Sequence, residues 1–192
     1  MSTTGTDRAA VVVPGRMHGP TAPLLMYSAD AAHARGARIE RLSWTDLAQL
    51  QDVALLDAGP WVRNQVGSLL DHLPADRPLL IVKSLGTHAA ALAAERQLPA
   101  IWLTPLLHLD EIVSALQKAT APCLLVGGTA DPMWDGVLAR ELSPYVLEVD
   151  GADHGMYVPG PLAASAQVLG RVATAVENFL DSVVWPDAAA GH

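Results

Sequence analysis

The sequence predicts an α/β protein: a single domain with a mainly parallel six-stranded sheet and helices on both faces. Three observations carry this expectation. Short apolar runs of strand length alternate six times with stretches of helical spacing, the order in which β-α units build a parallel sheet. Most of the runs are continuously apolar rather than alternating, as expected of strands covered on both faces. At 192 residues the chain fits one domain of about 100–200 residues and is long enough to bury a sizeable core.

Ala10–Val13 is the first run and opens onto the turn Pro14-Gly15-Arg16-Met17-His18-Gly19. Helical spacing follows over about 21–36, with Thr21 placed to N-cap, Pro23 suited to the first turn and Gly36 suited to closing the helix. The second run is Arg38–Leu42, followed by a helix near 60–73; the third is Leu79–Val82, followed by a helix near 86–97. Ala100–Leu103 is the fourth, and Asp110 stands where it can cap the next helix, near 109–119. Cys123–Val126 and Tyr145–Val149 complete the strands, with a helix near 133–142 between them. The last helix, near 162–184, sets Val168, Val172, Ala175, Phe179 and Val183 on one stripe. The domain thus spans 9–184, and residues 1–8 and 186–192 read as flexible ends.

Composition narrows the function classes. The chain is 51% hydrophobic and 17% charged, too apolar for disorder, yet no run reaches the roughly 18 apolar residues of a membrane span. A net charge of −8 repels phosphate backbones, and 5% aromatic residues leave little for base stacking, so neither nucleic acid nor membrane is expected as a partner. Cys123 is the single cysteine and lies in an apolar run, so it reads as a buried hydrophobe with no disulfide partner. No apolar segment follows Met1 in the manner of a secretory signal, which makes a cytoplasmic location the default expectation. There is no H-E-x-x-H pair or cysteine-histidine cluster for a metal, and no G-x-G-x-x-G or G-K-[ST] loop for a nucleotide cofactor. The expected partner is a small-molecule substrate.

In an open parallel sheet, chemistry gathers where strands end at their carboxyl edge. After Val82 comes Lys83-Ser84-Leu85-Gly86, a serine on a strand-to-helix turn. After Val126 comes Gly127-Gly128-Thr129-Ala130-Asp131-Pro132, an acid just ahead of a helix. After Val149 comes Asp150-Gly151-Ala152-Asp153-His154-Gly155, a histidine between glycines. Taken singly, the serine and the aspartate read as helix caps or an Asx turn, and the histidine as a solvated loop residue. Together they fall in the order serine, acid, histidine, each at a strand end. A serine hydroxyl is a poor nucleophile until a histidine removes its proton, and a carboxylate then fixes the imidazole tautomer. The oxyanion of such a reaction needs backbone N–H donors, which Leu85 and the Arg16 turn are placed to supply.

With these residues the chain resembles the α/β-hydrolase superfamily, in particular its small lidless serine hydrolases, over about residues 9–184. The resemblance implies Ser84 as nucleophile, Asp131 as triad acid, His154 as base, and the Arg16 and Leu85 N–H groups as oxyanion hole. It also implies the second strand at one edge of the sheet, the sixth at the other, and the first and third in the centre. An ester, thioester or related acyl bond would be cleaved through an acyl-enzyme. The same scaffold also carries non-hydrolytic lyases, cyclases and decarboxylases, or an inactive small-molecule-binding protein, as alternatives. Two positions depart from the family pattern: Val82 stands where glycine is usual, and Lys83 sets a long cation beside the serine. Asp110, near His108, is an alternative acid. Only Thr104–Leu109 separates the fourth strand from its helix, too short for a helical lid, so an open site is expected. Its expected lining is Met17, His18, Leu106, His108, Trp134, Met156 and Tyr157.

Overall fold

The apolar runs become strands, and their lengths set the sheet. The computed structural model describes residues 8–17, 19–46, 48 and 54–186. The strands are β1 (Ala9–Val13), β2 (Arg38–Arg41), β3 (Leu79–Lys83), β4 (Ala100–Leu103), β5 (Cys123–Gly128) and β6 (Tyr145–Val149). All neighbours pair in parallel, in the order β2-β1-β3-β4-β5-β6. Every residue of β1, β4 and β5 is buried, whereas β2, with Arg38, Glu40 and Arg41 in its four residues, is exposed at both ends. Charged residues on an edge strand discourage pairing with another chain.

The helices are α1 (Pro23–Ala34), α2 (Gly59–Asp71), α3 (Ala90–Arg96), α4 (Asp110–Lys118), α5 (Gly136–Leu142) and α6 (Leu162–Phe179). Side-chain alternation along the strands divides the core in two. Ala10, Val12, Ile81, Leu103 and Val126 face α1 and α6, while Val11, Val13, Val82, Trp102 and Leu125 face α2 to α5. Of the stripe predicted from the sequence, Val168, Val172 and Phe179 pack fully against the first of these faces, Ala175 and Val183 are only partly buried there, and Val176 joins the buried set.

Helix ends depart from the sequence reading in four places, one being α5, which begins at Gly136 rather than near 133 and is capped by the Asp135 side chain. Ala22, not Thr21, occupies the N-cap of α1 without a side-chain bond; Pro23 at the next position needs no N–H partner there. Leu109, not Asp110, occupies the N-cap of α4, and Asp110 is its first residue, where its charge meets the positive end of the helix dipole. The segment after Ser84 is not α-helical at once: Ser84–Ala89 form a 3₁₀ turn before α3 begins. Gly36 does close α1, at φ +80°, with its N–H on the His33 carbonyl and that of Ala37 on Ala32. At the chain ends, Arg8 is anchored rather than loose, donating to the Arg35 carbonyl at 2.8 Å and lying over the Trp185 ring; residues 1–7 and 187–192 lie outside the described residues. No helix among the described residues is long and apolar enough to cross a membrane.

Because β2 and β3 flank β1 on opposite sides, the chain reverses its direction of winding between β1 and β3. Ligands of open α/β sheets gather at such a switch point, beyond the carboxyl ends of the strands. The Gly15-Arg16 turn and Ser84 stand there.

Candidate active site

Ser84 follows the last residue of β3 and adopts φ +50°. A non-glycine residue in this region costs of order 1–3 kcal/mol, which the surroundings must hold in place. They do so through Gly86. A Cβ there would stand 2.8 Å from Val13 Cγ1 and Val82 Cγ1 and 3.2 Å from the Pro14 carbonyl, so the turn lies flat on β1 and β3. The bare Gly86 is also what leaves room for Val82, the residue that replaces the usual glycine of the elbow. Ser84 does not cap a helix: Lys83 holds the N-cap position, and the Ser84 hydroxyl turns elsewhere.

Its partner comes from the loop after β6. His154 Nε2 lies 2.8 Å from Ser84 Oγ, and His154 Nδ1 lies 2.7 Å from Asp131 Oδ2. The buried Asp131 also accepts the Met133 N–H on Oδ1 at 2.9 Å. An ionised carboxylate only accepts, so Nδ1 carries the proton and Nε2 is left to accept from the serine O–H. Asp110, by contrast, is exposed at the start of α4.

The acid and histidine loops are fastened to one another. Ala130 N–H donates to the Ala152 carbonyl at 3.0 Å, and Gly151 N–H to Thr129 Oγ1 at 2.7 Å. A Cβ on Gly128 would come within 2.2 Å of the Ala152 carbonyl oxygen, so β5 meets the histidine loop backbone to backbone. Within that loop Asp153 Oδ1 accepts the N–H groups of Gly155 and Tyr157. Ser165 Oγ of α6 accepts the Val158 N–H, tying the loop to the helix.

The turn after β1 packs on the serine: a Cβ on Gly15 would lie 3.3 Å from Ser84 Cβ. Trp44 Nε1 donates to the Gly15 carbonyl at 3.0 Å and stacks at a tilt on Trp61, which fixes the turn from the opposite side. This anchor was not read from the sequence; the nearest signal is the isolated Trp44 just after β2. Arg16 lines the same cavity as Ser84, and Leu85 follows the serine in the 3₁₀ turn.

Lys83 is partly buried and lines the same cavity as Arg16 and Ser84. Its Nζ donates to Thr104 Oγ1 at 3.0 Å and to the His154 carbonyl at 3.2 Å. Burial pushes the ammonium below the ordinary lysine range, an effect that the charges of Asp131 and Asp153 oppose.

A cavity of about 500 Å³ opens beside Ser84 and His154. Met17, Met156 and Tyr157 line it as the sequence predicts, while His18 lies outside the described residues. Leu106, His108 and Trp134 do not line it. Leu106 is buried on the α2–α5 face, and His108 is exposed. Trp134 packs over Gly127 and donates its N–H to Glu148 at 2.8 Å. Their places are taken by the starts of α1 and α6: Pro23 and Leu24 from the first, and Leu162, Ala166 and Leu169 from the second. The i, i+4, i+7 spacing of those last three was the available signal. Among the described residues no three His, Cys, Asp or Glu side chains converge as metal ligands.

No protein-family model matches the chain, and no curated protein matches it. Solved structures do. Est1E from Butyrivibrio proteoclasticus with ferulic acid bound aligns with 92% of this chain and 89% of its own at 15% identity and a TM-score of 0.67. An alpha-beta serine hydrolase homologue from Coxiella burnetii aligns over 91% and 85% at 19% identity and TM-score 0.67. Dienelactone hydrolase from Anabaena variabilis aligns over 94% and 88% at 20% identity and TM-score 0.59. The fold is therefore the α/β-hydrolase fold in a minimal form. In place of a cap domain, only Thr104–Leu109 joins β4 to α4.

Proposed function

We propose that the chain is a serine hydrolase that cleaves an ester, thioester or related acyl bond. The carrying observation is the unbroken hydrogen-bonded series Ser84 Oγ, His154, Asp131 at the mouth of the cavity. In this reading Ser84 Oγ attacks the carbonyl carbon while its proton passes to His154 Nε2, and Asp131 stabilises the imidazolium. The carbonyl oxygen takes the negative charge, facing the Arg16 and Leu85 N–H groups. The tetrahedral intermediate collapses as His154 protonates the departing alcohol or thiol, leaving the acyl group on Ser84. Water, deprotonated by the same histidine, then releases the acid and restores the serine. The support from related structures is of the same kind: the proteins above include Est1E with ferulic acid bound, a serine hydrolase homologue and a dienelactone hydrolase.

The cavity favours an apolar acyl group. Leu24, Met156 and Leu169 line its wall, and Met17, Tyr157 and Leu162 stand exposed at its rim. Burying such a chain contributes about 0.8 kcal/mol per CH₂.

The test is intact-protein mass after treatment with a fluorophosphonate probe. One adduct is expected on the wild type and none on Ser84→Ala, with hydrolysis of p-nitrophenyl butyrate lost in parallel. Undiminished turnover by Ser84→Ala overturns the reading.

A further inference from the structure

We infer that Lys83 is a positioning residue for the proposed hydrolase, its ammonium bracing the backbone of His154 against Thr104 so that the imidazole stays aligned with Ser84. The inference rests on the function proposed above and goes beyond it, since Lys83 touches no reacting atom in that mechanism.

Three strand ends meet at this nitrogen. Lys83 is the last residue of β3, Thr104 follows β4, and His154 lies in the loop after β6. The two bonds, to Thr104 Oγ1 and to the His154 carbonyl, tie all three together. Side-chain bonds to Ser84 and Asp131 fix the far ends of the imidazole, but a ring is only as well placed as its own Cα. In this loop that control comes from Lys83. The other loop bonds act on residues either side of His154: Asp153 on Gly155 and Tyr157, and Thr129 on Gly151.

The acceptor just after β4 is itself constrained. Thr104 is wholly buried and sits at φ +47°, a region that a β-branched residue enters only when its surroundings impose it. Its N–H donates to the Val126 carbonyl at 2.7 Å, holding it to β5. Its hydroxyl is thus presented to Lys83 from a fixed backbone. A flexible, exposed threonine would give the ammonium nothing to push against.

An ammonium suits this task better than a neutral donor. Bonds from a charged donor are about twice as strong as neutral ones, and the four-carbon stem spans the gap from β3 to two acceptors in the loops after β4 and β6.

The test uses the wild-type chain, Lys83→Met, Thr104→Val and Lys83→Cys, with p-nitrophenyl butyrate and the fluorophosphonate probe as reagents. Methionine keeps the stem and deletes the charge; valine keeps the shape of threonine and deletes the acceptor. Lys83→Met is expected to lose about 10²-fold in kcat, the scale of an ångström of misplacement at a reacting centre, with KM within about twofold and probe labelling slowed in proportion. Thr104→Val is expected to fall in the same direction by a smaller factor. Aminoethylation of Lys83→Cys, which restores an ammonium at the same reach, is expected to recover kcat; Cys123 is buried, and alkylated wild type is the control.

Wild-type kcat in Lys83→Met, or a loss confined to KM, overturns the positioning role while leaving the hydrolase reading intact. Failure of the aminoethylated protein to recover also overturns it. Should Lys83→Met fail to fold, Thr104→Val decides alone: a kcat loss at constant KM supports the bracket, and wild-type kcat refutes it. A folded wild type that the probe does not label overturns the hydrolase reading itself, and the positioning role with it.

Discussion

Replacing Asp131 with asparagine tests the electronic role of the acid separately from its packing. The two oxygens of Asp131 have different partners: Oδ1 accepts the Met133 N–H and Oδ2 faces His154 Nδ1. An asparagine of the same shape must turn its carbonyl oxygen to the Met133 N–H, because its NH₂ can only donate. That places the NH₂ against His154 Nδ1 and forces the imidazole to carry its proton on Nε2. Nε2 then donates to Ser84 Oγ and has no lone pair left to take the serine proton. Loss of the correct tautomer costs about 10⁴-fold in kcat, or roughly 5.5 kcal/mol of transition-state stabilisation. The assay is p-nitrophenyl butyrate hydrolysis at pH 7 by Asp131→Asn and Asp131→Ala, with thermal unfolding as control. The asparagine variant should keep the wild-type Tm to within a few degrees, yet turn over no faster than the alanine variant, in which the ring is free to select either tautomer. An asparagine variant within tenfold of wild type, or one far more active than the alanine variant, refutes the argument.

Further expectations follow from burial and contact. In Gly128→Ala the new Cβ would meet the Ala152 carbonyl carbon at 2.6 Å as well as its oxygen at 2.2 Å; both are backbone atoms, so the loops must part at a cost of about 1–3 kcal/mol. Calorimetry should show Tm lowered by about 2–4 °C for each kcal/mol, and an unchanged Tm would contradict the contact. The lowered Lys83 pKa makes a prediction of definite sign. Between its folded value and the 10.5 of an ordinary lysine, the unfolded chain binds more protons than the folded one, so this group's contribution to stability rises with pH. Urea denaturation of wild type and Lys83→Met through the alkaline range should show a difference that grows in favour of wild type, and a difference independent of pH would refute it. Burial also pushes the Cys123 thiol up, with weaker opposition from the neighbouring Ser143 and Trp102 side chains. A disulfide reagent such as DTNB at neutral pH should therefore label it only in denaturant, and prompt labelling of the native protein would overturn that assignment.

How much of this was legible in the sequence depends on the kind of signal. Strand positions are set by short runs of strand length, most of them continuously apolar, and all six agree with the structure to within two residues at either end. The edge positions of β2 and β6 follow the family order. Cavity lining was less legible, for a geometrical reason. Reading the residues after each strand shows which edge of the sheet they occupy but not which face. Leu106 and Trp134 fall on the side of α2–α5, whereas the cavity opens between α1 and α6. The missing wall comes from the first two turns of α6, far along the chain. Its apolar positions there, Leu162, Ala166 and Leu169, adjoin the stripe that packs on the sheet.

Ordinary structural jobs and the proposed chemical ones also coincide in single residues. Asp131 makes the Asx turn expected of Asp-Pro, through Oδ1, although α5 starts only at Gly136 with Asp135 as its N-cap, and it still presents Oδ2 to His154. The turn is what aims the second oxygen. Conformational strain is the signal that the sequence hid altogether. Five non-glycine residues among those described have positive φ, and three of them are Ser84, Thr104 and Met156. None is glycine, asparagine or aspartate, the residues that mark such conformations in a sequence. Each flanks the Lys83 ammonium or the His154 loop: Ser84 follows Lys83, Thr104 accepts from it, and Met156 closes the histidine turn with its N–H on the Asp153 carbonyl at 2.8 Å. Strain so concentrated must be balanced by the bonds around it. The bracket at Lys83 and the turn at Asp153 are the bonds in the right place to hold it, and cutting the first is the most direct way to learn whether the strain serves the proposed chemistry.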